Sequence, residues 1–201
     1  FACGQSPLCV EVDRLVSSGV VVVIAAGNSG YGRIKPELQE ATSAGLMLTI
    51  NDPGNAERAI TVGSTHRDMP HLYGVSYFSS KGPTGDGRRK PDLVAPGEKI
   101  VSCAAGGILN EALEAVRHAG RTASVNDARR QGRRLTERVR YVESSGTSMA
   151  APHVSGAIAA FLSIRREFIG QVDRIKEIFM TTATDLGREG YFQGRGLLDL
   201  M

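Results

Sequence analysis

Glu143-Ser144-Ser145-Gly146-Thr147-Ser148-Met149-Ala150-Ala151-Pro152-His153-Val154-Ser155-Gly156 joins a Gly/Ser/Thr-rich loop to a run of small and apolar residues. Ala150, Val154, Ala157, Ile158, Phe161 and Leu162 recur at helical spacing, so the second half reads as an amphipathic helix with Ser148 at its N-terminal end. A helix N-terminus leaves backbone N–H groups unpaired and carries the positive end of the macrodipole, which favours negative charge. An oxygen nucleophile, and the oxyanion it would create, fit such a place. The plain alternative is that Ser148 is only the N-cap of the helix.

Composition narrows the class. The 201 residues, 41% hydrophobic and 22% charged, suffice for one globular domain with a sizeable core. A net charge of +3 is too small to argue for nucleic acid or a membrane surface as a partner. No run of about 18 apolar residues is present, so no transmembrane helix is expected. The start, Phe1-Ala2-Cys3-Gly4, has the character of neither a signal peptide nor an initiator. The expectation is a chain that continues from an earlier segment, with its compartment left open. Cys3, Cys9 and Cys103 have no metal-ligand spacing; Cys3 and Cys9 either close a small loop or stay free thiols.

Helices and strands alternate along the chain. Ser6-Pro7 caps and opens a helix whose apolar stripe is Leu8, Val12, Leu15 and Val16, with Gly19 as its stop. Val20 to Ala26 is an unbroken apolar run, rich in β-branched residues, and reads as a strand buried on both faces of a parallel sheet. It ends in the polar turn Gly27-Asn28-Ser29-Gly30, at the strand end where open α/β sheets bind ligands. Residues 31 to 50 give no clear pattern. Asp52-Pro53-Gly54-Asn55 reads as a type II turn, Ala59 to Ser64 as a strand, 65 to 76 as a surface loop and 81 to 87 as a loop. Pro91 to Gly97 is extended, and Ile100 to Ala104 reads as a strand. Val172, Ile175, Ile178, Phe179 and Ala183 mark a last amphipathic helix. The alternation predicts an α/β fold with a mainly parallel sheet flanked by helices.

Residues 107 to 140 differ. Arg117, Arg121, Arg129, Arg130, Arg133, Arg134, Arg138 and Arg140 crowd there, and large apolar residues are few. Leu109, Leu113 and Val116 suggest a short helix. The segment reads as a mobile, solvated insertion within one domain spanning 1–201, with a docking patch for an acidic partner as the other reading.

A nucleophilic serine needs a base and donors for its oxyanion. Asn28, held at a strand end, is a candidate donor; alternatively it is a turn residue tolerating positive φ. Gly146 to Gly156 resembles the nucleophile segment of the subtilisin-like serine peptidases, the subtilases, and Ala25-Ala26-Gly27-Asn28-Ser29-Gly30 is similar to their oxyanion-hole segment. Pro53-Gly54-Asn55-Ala56 with Ala59 to Gly63, Phe78-Ser79-Ser80-Lys81-Gly82-Pro83, and Lys90-Pro91-Asp92-Leu93-Val94-Ala95-Pro96-Gly97 resemble further segments in the family's order. The resemblance implies a three-layer subtilisin-like fold, here with its N-terminal part missing. It implies Ser148 as nucleophile, with Asn28 and the Ser148 backbone N–H as oxyanion donors. Ala25, Ala26 and Gly27 would wall the specificity pocket, with Asn51 and Asp52 near its floor. It implies protein or peptide as substrate and no organic cofactor. A family calcium site uses an acid just after the strand matching Ala59 to Ser64; here His66 is the nearest match, so no metal is assigned.

The chain departs from the family in lacking a base. In subtilisin-type enzymes Asp and His precede Ser along the chain. No Asp-Thr-Gly or Asp-Ser-Gly follows a hydrophobic strand here. His66 and His71 lie in a polar stretch and His118 in the insertion. His153 follows Ser148 by five residues, about 140° around the same helix, and reads as a satisfied, partly buried core histidine. The expectation is a serine endopeptidase whose triad Asp and His lie in a missing N-terminal portion of the same domain, so that these residues alone are inactive. The alternative is a non-catalytic, subtilase-like peptide-binding or scaffold protein.

Overall fold

The computed structural model describes residues 3–35, 42–107, 109–110, 113–114 and 141–200. The chain divides into two compact units, Phe1–Glu98 with Ser145–Met201, and Lys99–Ser144.

The larger unit opens with α1 (Pro7–Ser17). Ser6 is its N-cap, the hydroxyl accepting the Cys9 N–H at 3.3 Å, and Pro7 occupies the first turn. The buried face is not the stripe expected. Leu8 and Leu15 are 62% and 50% exposed, while Cys9 and Val16 are buried and Val12 half-buried. Positions 9, 12 and 16 share one helical face once Cys9 is counted as the small hydrophobe it is. Cys3, Cys9 and Cys103 are free thiols.

Three strands form the sheet in the order β1 (Val23–Ala25), β4 (Ile60–Thr65), β5 (Leu93–Pro96), all parallel. Val23, Ile24 and Ala25 face Ile60, Thr61 and Val62; Val62 to Thr65 face Leu93 to Pro96. The strand buried throughout is β4, not the apolar run Val20–Ala26. Among the described residues β1 is the edge of the sheet, half-buried, with Val20 49% exposed. The polar residues of β4 hide its burial in the sequence; Thr61 and Ser64 have partners, while the buried Thr65 hydroxyl has none among the described residues. Thr61 Oγ1 donates to the Gly54 carbonyl (2.7 Å), and Ser64 shares a hydrogen bond with Ser76 (2.8 Å).

The unassigned stretch 31–50 contains an antiparallel ribbon, β2 (Tyr31–Ile34) with β3 (Thr42–Gly45), Tyr31 opposite Gly45. The turn near Pro53 closes one residue earlier than expected. Gly54 N–H donates to the Asn51 carbonyl at 2.6 Å, and the Asp52–Pro53 peptide is cis, which places Pro53 third in the turn. The expected loop 65–76 holds a short helix, α2 (Pro70–Tyr73). The expected loop 81–87 is a loop with an exposed tip at Gly85 to Gly87, but Lys81 and Thr84 in it, and Ser79 and Ser80 before it, are buried.

The long helix α3 (Thr147–Ile164) lies across the sheet. Its Ala150, Val154, Ala157 and Ile158 join Ile60, Val62, Leu93 and Ala95 from the sheet. Ile175 and Phe179 of α4 (Val172–Thr181) complete this core, and Phe179 meets Phe161 edge-on at 5.7 Å. By length and composition α3 is apolar enough to cross a membrane, a test that core helices also pass. A last short helix, α5 (Gly190–Gln193), follows.

The smaller unit contains the antiparallel pair β6 (Ile100–Cys103) and β7 (Tyr141–Ser144), Ile100 opposite Ser144. It therefore extends beyond the insertion expected at 107–140 on both sides, and β7 was not anticipated. Leu109 and Leu113 are helical. Val116 and the arginines from 117 to 140 lie outside the described residues.

Candidate active site

Gly146, not Ser148, is the N-cap of α3, and no side chain caps the helix. Ser148 is therefore inside the first turn, exposed, while Thr147 before it is 1% exposed. Gly146 is held by its N–H to the Gly97 carbonyl (2.8 Å). A Cβ on Gly146 would stand 3.2 Å from Asn28 Nδ2, so glycine is what lets the two segments meet.

Thr147 organises this meeting. Its backbone N–H donates to Asn28 Oδ1 (2.9 Å), its hydroxyl donates to the same oxygen (3.0 Å), and that hydroxyl accepts the Gly27 N–H (3.1 Å). A backbone N–H must meet an acceptor, so the network fixes which end of the Asn28 amide is oxygen. Oδ1 is thereby occupied, and the donor end, Nδ2, is left without a protein partner among the described residues. The Ser148 N–H, in the first turn of the helix, is likewise without one. Two donors are available where the positive end of α3 emerges.

The turn carrying Asn28 is braced from the other side by residues 78–81. Gly27 has φ 107°, and a Cβ there would come within 2.6 Å of Asn51 Nδ2 and 2.8 Å of Ser80 Oγ. Its carbonyl accepts the Ser80 N–H (2.9 Å), and Ser29 N–H donates to Ser80 Oγ (3.1 Å). Gly30 N–H donates to the Phe78 carbonyl (2.9 Å). A Cβ on Gly30 would overlap the Ser79 carbonyl. Thr147, Ser80 and Lys81 carry this geometry, and sequence reasoning gave none of them a role. The adjacency of Thr147 to Ser148 was the available signal.

Of the expected pocket residues, Ala25, Ala26, Gly27 and Asn51 come together. Asn51 N–H donates to the Ala26 carbonyl (3.1 Å), and its side chain lies against Gly27. Asp52 does not join them. Its carboxylate accepts from Asn55 Nδ2 (2.7 Å) and faces Ser6 and Cys9 at the start of α1. The Ser6 hydroxyl, then Asn55, hold it below the usual carboxylate range, and burial pushes the Cys9 thiol up. An acid on the pocket floor is therefore not what Asp52 supplies.

No described histidine hydrogen-bonds Ser148. His66 accepts the Asp68 and Met69 N–H groups on Nδ1 (3.2 Å each) and packs on Tyr73 (4.8 Å). His71 is exposed. His153 is exposed, not partly buried, and its Nδ1 donates to the Met149 carbonyl (2.9 Å), one turn back on the outer side of α3. His118 lies outside the described residues. No cluster of three His, Cys, Asp or Glu able to hold a metal occurs among the described residues. A cleft of about 680 Å³, lined by Arg58, Asp173, Lys176, Glu177 and Arg195 among others, contains neither Ser148 nor Asn28.

A parallel sheet with a long helix laid across it, a serine on that helix's first turn and an asparagine at a neighbouring strand end make a subtilisin-like α/β arrangement. The chain belongs to the subtilase family, whose profile matches residues 2–197. It is 32% identical to the serine protease AprX of Bacillus subtilis (strain 168) over 177 residues, covering 87% of this chain and 32% of AprX. It is 30% identical to an uncharacterized protein of Aquifex aeolicus (strain VF5), covering 85% of this chain and 69% of that protein. A solved cold-adapted subtilisin-like serine proteinase superposes with a TM-score of 0.55 at 25% identity, covering 98% of this chain and 50% of that one. The chain thus spans about a third of AprX and half of that proteinase.

Proposed function

We propose that this chain is the nucleophile-bearing portion of a serine endopeptidase. Ser148 Oγ attacks a peptide carbonyl, its proton passes to a histidine outside this chain, and an aspartate outside this chain orients that histidine. Asn28 Nδ2 and the Ser148 N–H hold the oxyanion, and water then hydrolyses the acyl-enzyme. Ala25, Ala26, Gly27 and Asn51 wall the side-chain pocket for an extended protein or peptide substrate. The observation that carries this reading is the Asn28 amide, locked by Thr147 with its donor end free beside the first turn of α3. The outer edge of β1, unpaired among the described residues, and the exposed Leu8, Leu15 and Val20 support the packing of the Asp- and His-bearing segments there.

In the full-length protein a serine-directed fluorophosphonate should label Ser148, and Ser148→Ala should lose both the label and more than about a thousandfold of peptide cleavage. Residues 1–201 alone should stay unlabelled. A folded full-length protein that resists labelling would overturn the proposal in favour of a peptide-binding or scaffold role.

A further inference from the structure

Lys81 is 6% exposed, yet its ammonium has no carboxylate within ion-pair distance among the described residues. Its Nζ donates to the Gly30 carbonyl (2.7 Å) and the Tyr77 carbonyl (3.0 Å) and lies 5.3 Å from the centre of the Phe192 ring. Burial lowers its pKa from the ordinary value. Burying a cation against neutral partners is unfavourable, and a methionine would fill similar space without that cost. The charge therefore has a use, and the carbonyls it joins show which. Gly30 closes the turn that carries Asn28, and Tyr77 begins the segment that braces it. Two carbonyl oxygens converging on one point repel unless a strong donor lies between them, and a charged donor binds such acceptors more tightly than a neutral one.

The main chain of Lys81 is itself well anchored. Lys81 N–H donates to Thr49 Oγ1 (2.9 Å), and Thr49 N–H donates to the Lys81 carbonyl (2.9 Å). Ser80 fixes the Gly27 and Ser29 side of the turn, and Lys81 fixes the Gly30 side. We infer that Lys81 is a positioning residue for the oxyanion donor: by pinning the Gly30 carbonyl to the Tyr77 carbonyl it holds the turn on which Thr147 orients Asn28 Nδ2. This rests on the role proposed above for Asn28.

The test compares two buried lysines. In the full-length protein Lys81→Met should lower kcat about ten- to a hundredfold, with KM within about twofold, because Asn28 acts on the oxyanion rather than on bound substrate. Lys90→Met removes a buried ammonium that bonds to Ala59, Thr61 and Asp92 and to no residue of the 27–30 turn. It should lower the thermal midpoint at least as much and leave kcat of the folded enzyme unchanged. Unchanged kcat in Lys81→Met, or equal kcat losses in both variants, would overturn the inference. Where Lys81→Met does not fold, Lys81→Gln serves the same comparison. A second readout needs no activity. In the full-length protein the Ser29 and Gly30 amides should exchange with solvent about tenfold faster in Lys81→Met, while the Thr61 amide stays protected. Unchanged exchange at Ser29 and Gly30 overturns the role of Lys81 even if full-length protein proves unreactive to fluorophosphonate, an outcome that by itself would sink only the peptidase reading.

Discussion

The two ends of β4 treat buried polarity in opposite ways. At its N-terminal end Lys90, 2% exposed, donates to Asp92 (2.6 Å), the Ala59 carbonyl (3.0 Å) and Thr61 Oγ1 (2.9 Å). Lys176 reaches the other Asp92 oxygen (3.2 Å), and Asp92 also accepts the Thr61 N–H (2.7 Å). Charges are opposed there, and every oxygen of Asp92 is taken. Beside its C-terminal end Asn28 and Thr147 are neutral, the buried Lys81 ammonium meets carbonyls rather than a carboxylate, and the satisfaction is incomplete: Oδ1 of Asn28 is held, Nδ2 is not. The first end stabilises. The second holds two donors ready, and donors fixed before reaction need no reorganisation when charge develops.

The largest effect expected on turnover is at the unsatisfied end. Asn28→Ala in the full-length protein should lower kcat about a hundred- to a thousandfold with KM nearly unchanged. Losing Oδ1 also strands the buried Thr147 N–H and hydroxyl, so unfolding free energy should fall by about 1–3 kcal/mol, less than the loss in transition-state stabilisation. Equal losses in kcat and in stability would erase the contrast between the two ends. Next comes Asp92→Asn, which leaves two ammonium groups facing an uncharged partner. Breaking a buried pair in this way costs about 3–5 kcal/mol, read as a shift in denaturant midpoint. Molecules that remain folded should keep the wild-type reactivity of Ser148.

The smallest effect is a pH dependence. Burial, the dominant influence, pushes Lys90 down from 10.5 to about 8 in the folded state despite the attraction of Asp92. Between about pH 8 and 10.5 the unfolded chain then binds more protons at this site than the folded one. Its contribution to stability rises with pH across that window and is flat on either side, by less than about 3 kcal/mol in all. The difference in unfolding free energy between wild type and Lys90→Met, followed from pH 7 to 11, should show this rise. A flat difference would mean that Asp92 offsets the burial.

The parts of the site that lie in short local runs were readable. Ala25 to Gly30 and Gly146 to Gly156 each place a functional group within a few residues of the glycines it needs, so strand end, turn and helix start show in the residue order alone. Features set by partners far along the chain were not readable. Asp52 follows Asn51, yet the cis turn sends its carboxylate to Asn55 and α1. Composition marks 81–87 as a loop but does not show that Ser80 and Lys81 are buried, which their hydrogen bonds to Gly27, Ser29 and Gly30 allow. The apolar run Val20–Ala26 reads as a strand buried on both faces, yet among the described residues it is the sheet edge, because apolar content does not reveal which strand has neighbours on both sides. His153 was placed inside because its spacing from Ser148 said nothing about the outer side of α3.

One residue ties the order of folding to the chemistry. Thr147 bonds to Gly27 across 120 positions and to Asn28 across 119. Closing so long a loop costs entropy that only the docked sheet and α3 can repay, and contacts of such separation form late. Asn28 therefore acquires its direction among the last events of folding. On the role proposed for Asn28, serine reactivity of the full-length protein should trail the burial of Val154 and Leu93 during refolding.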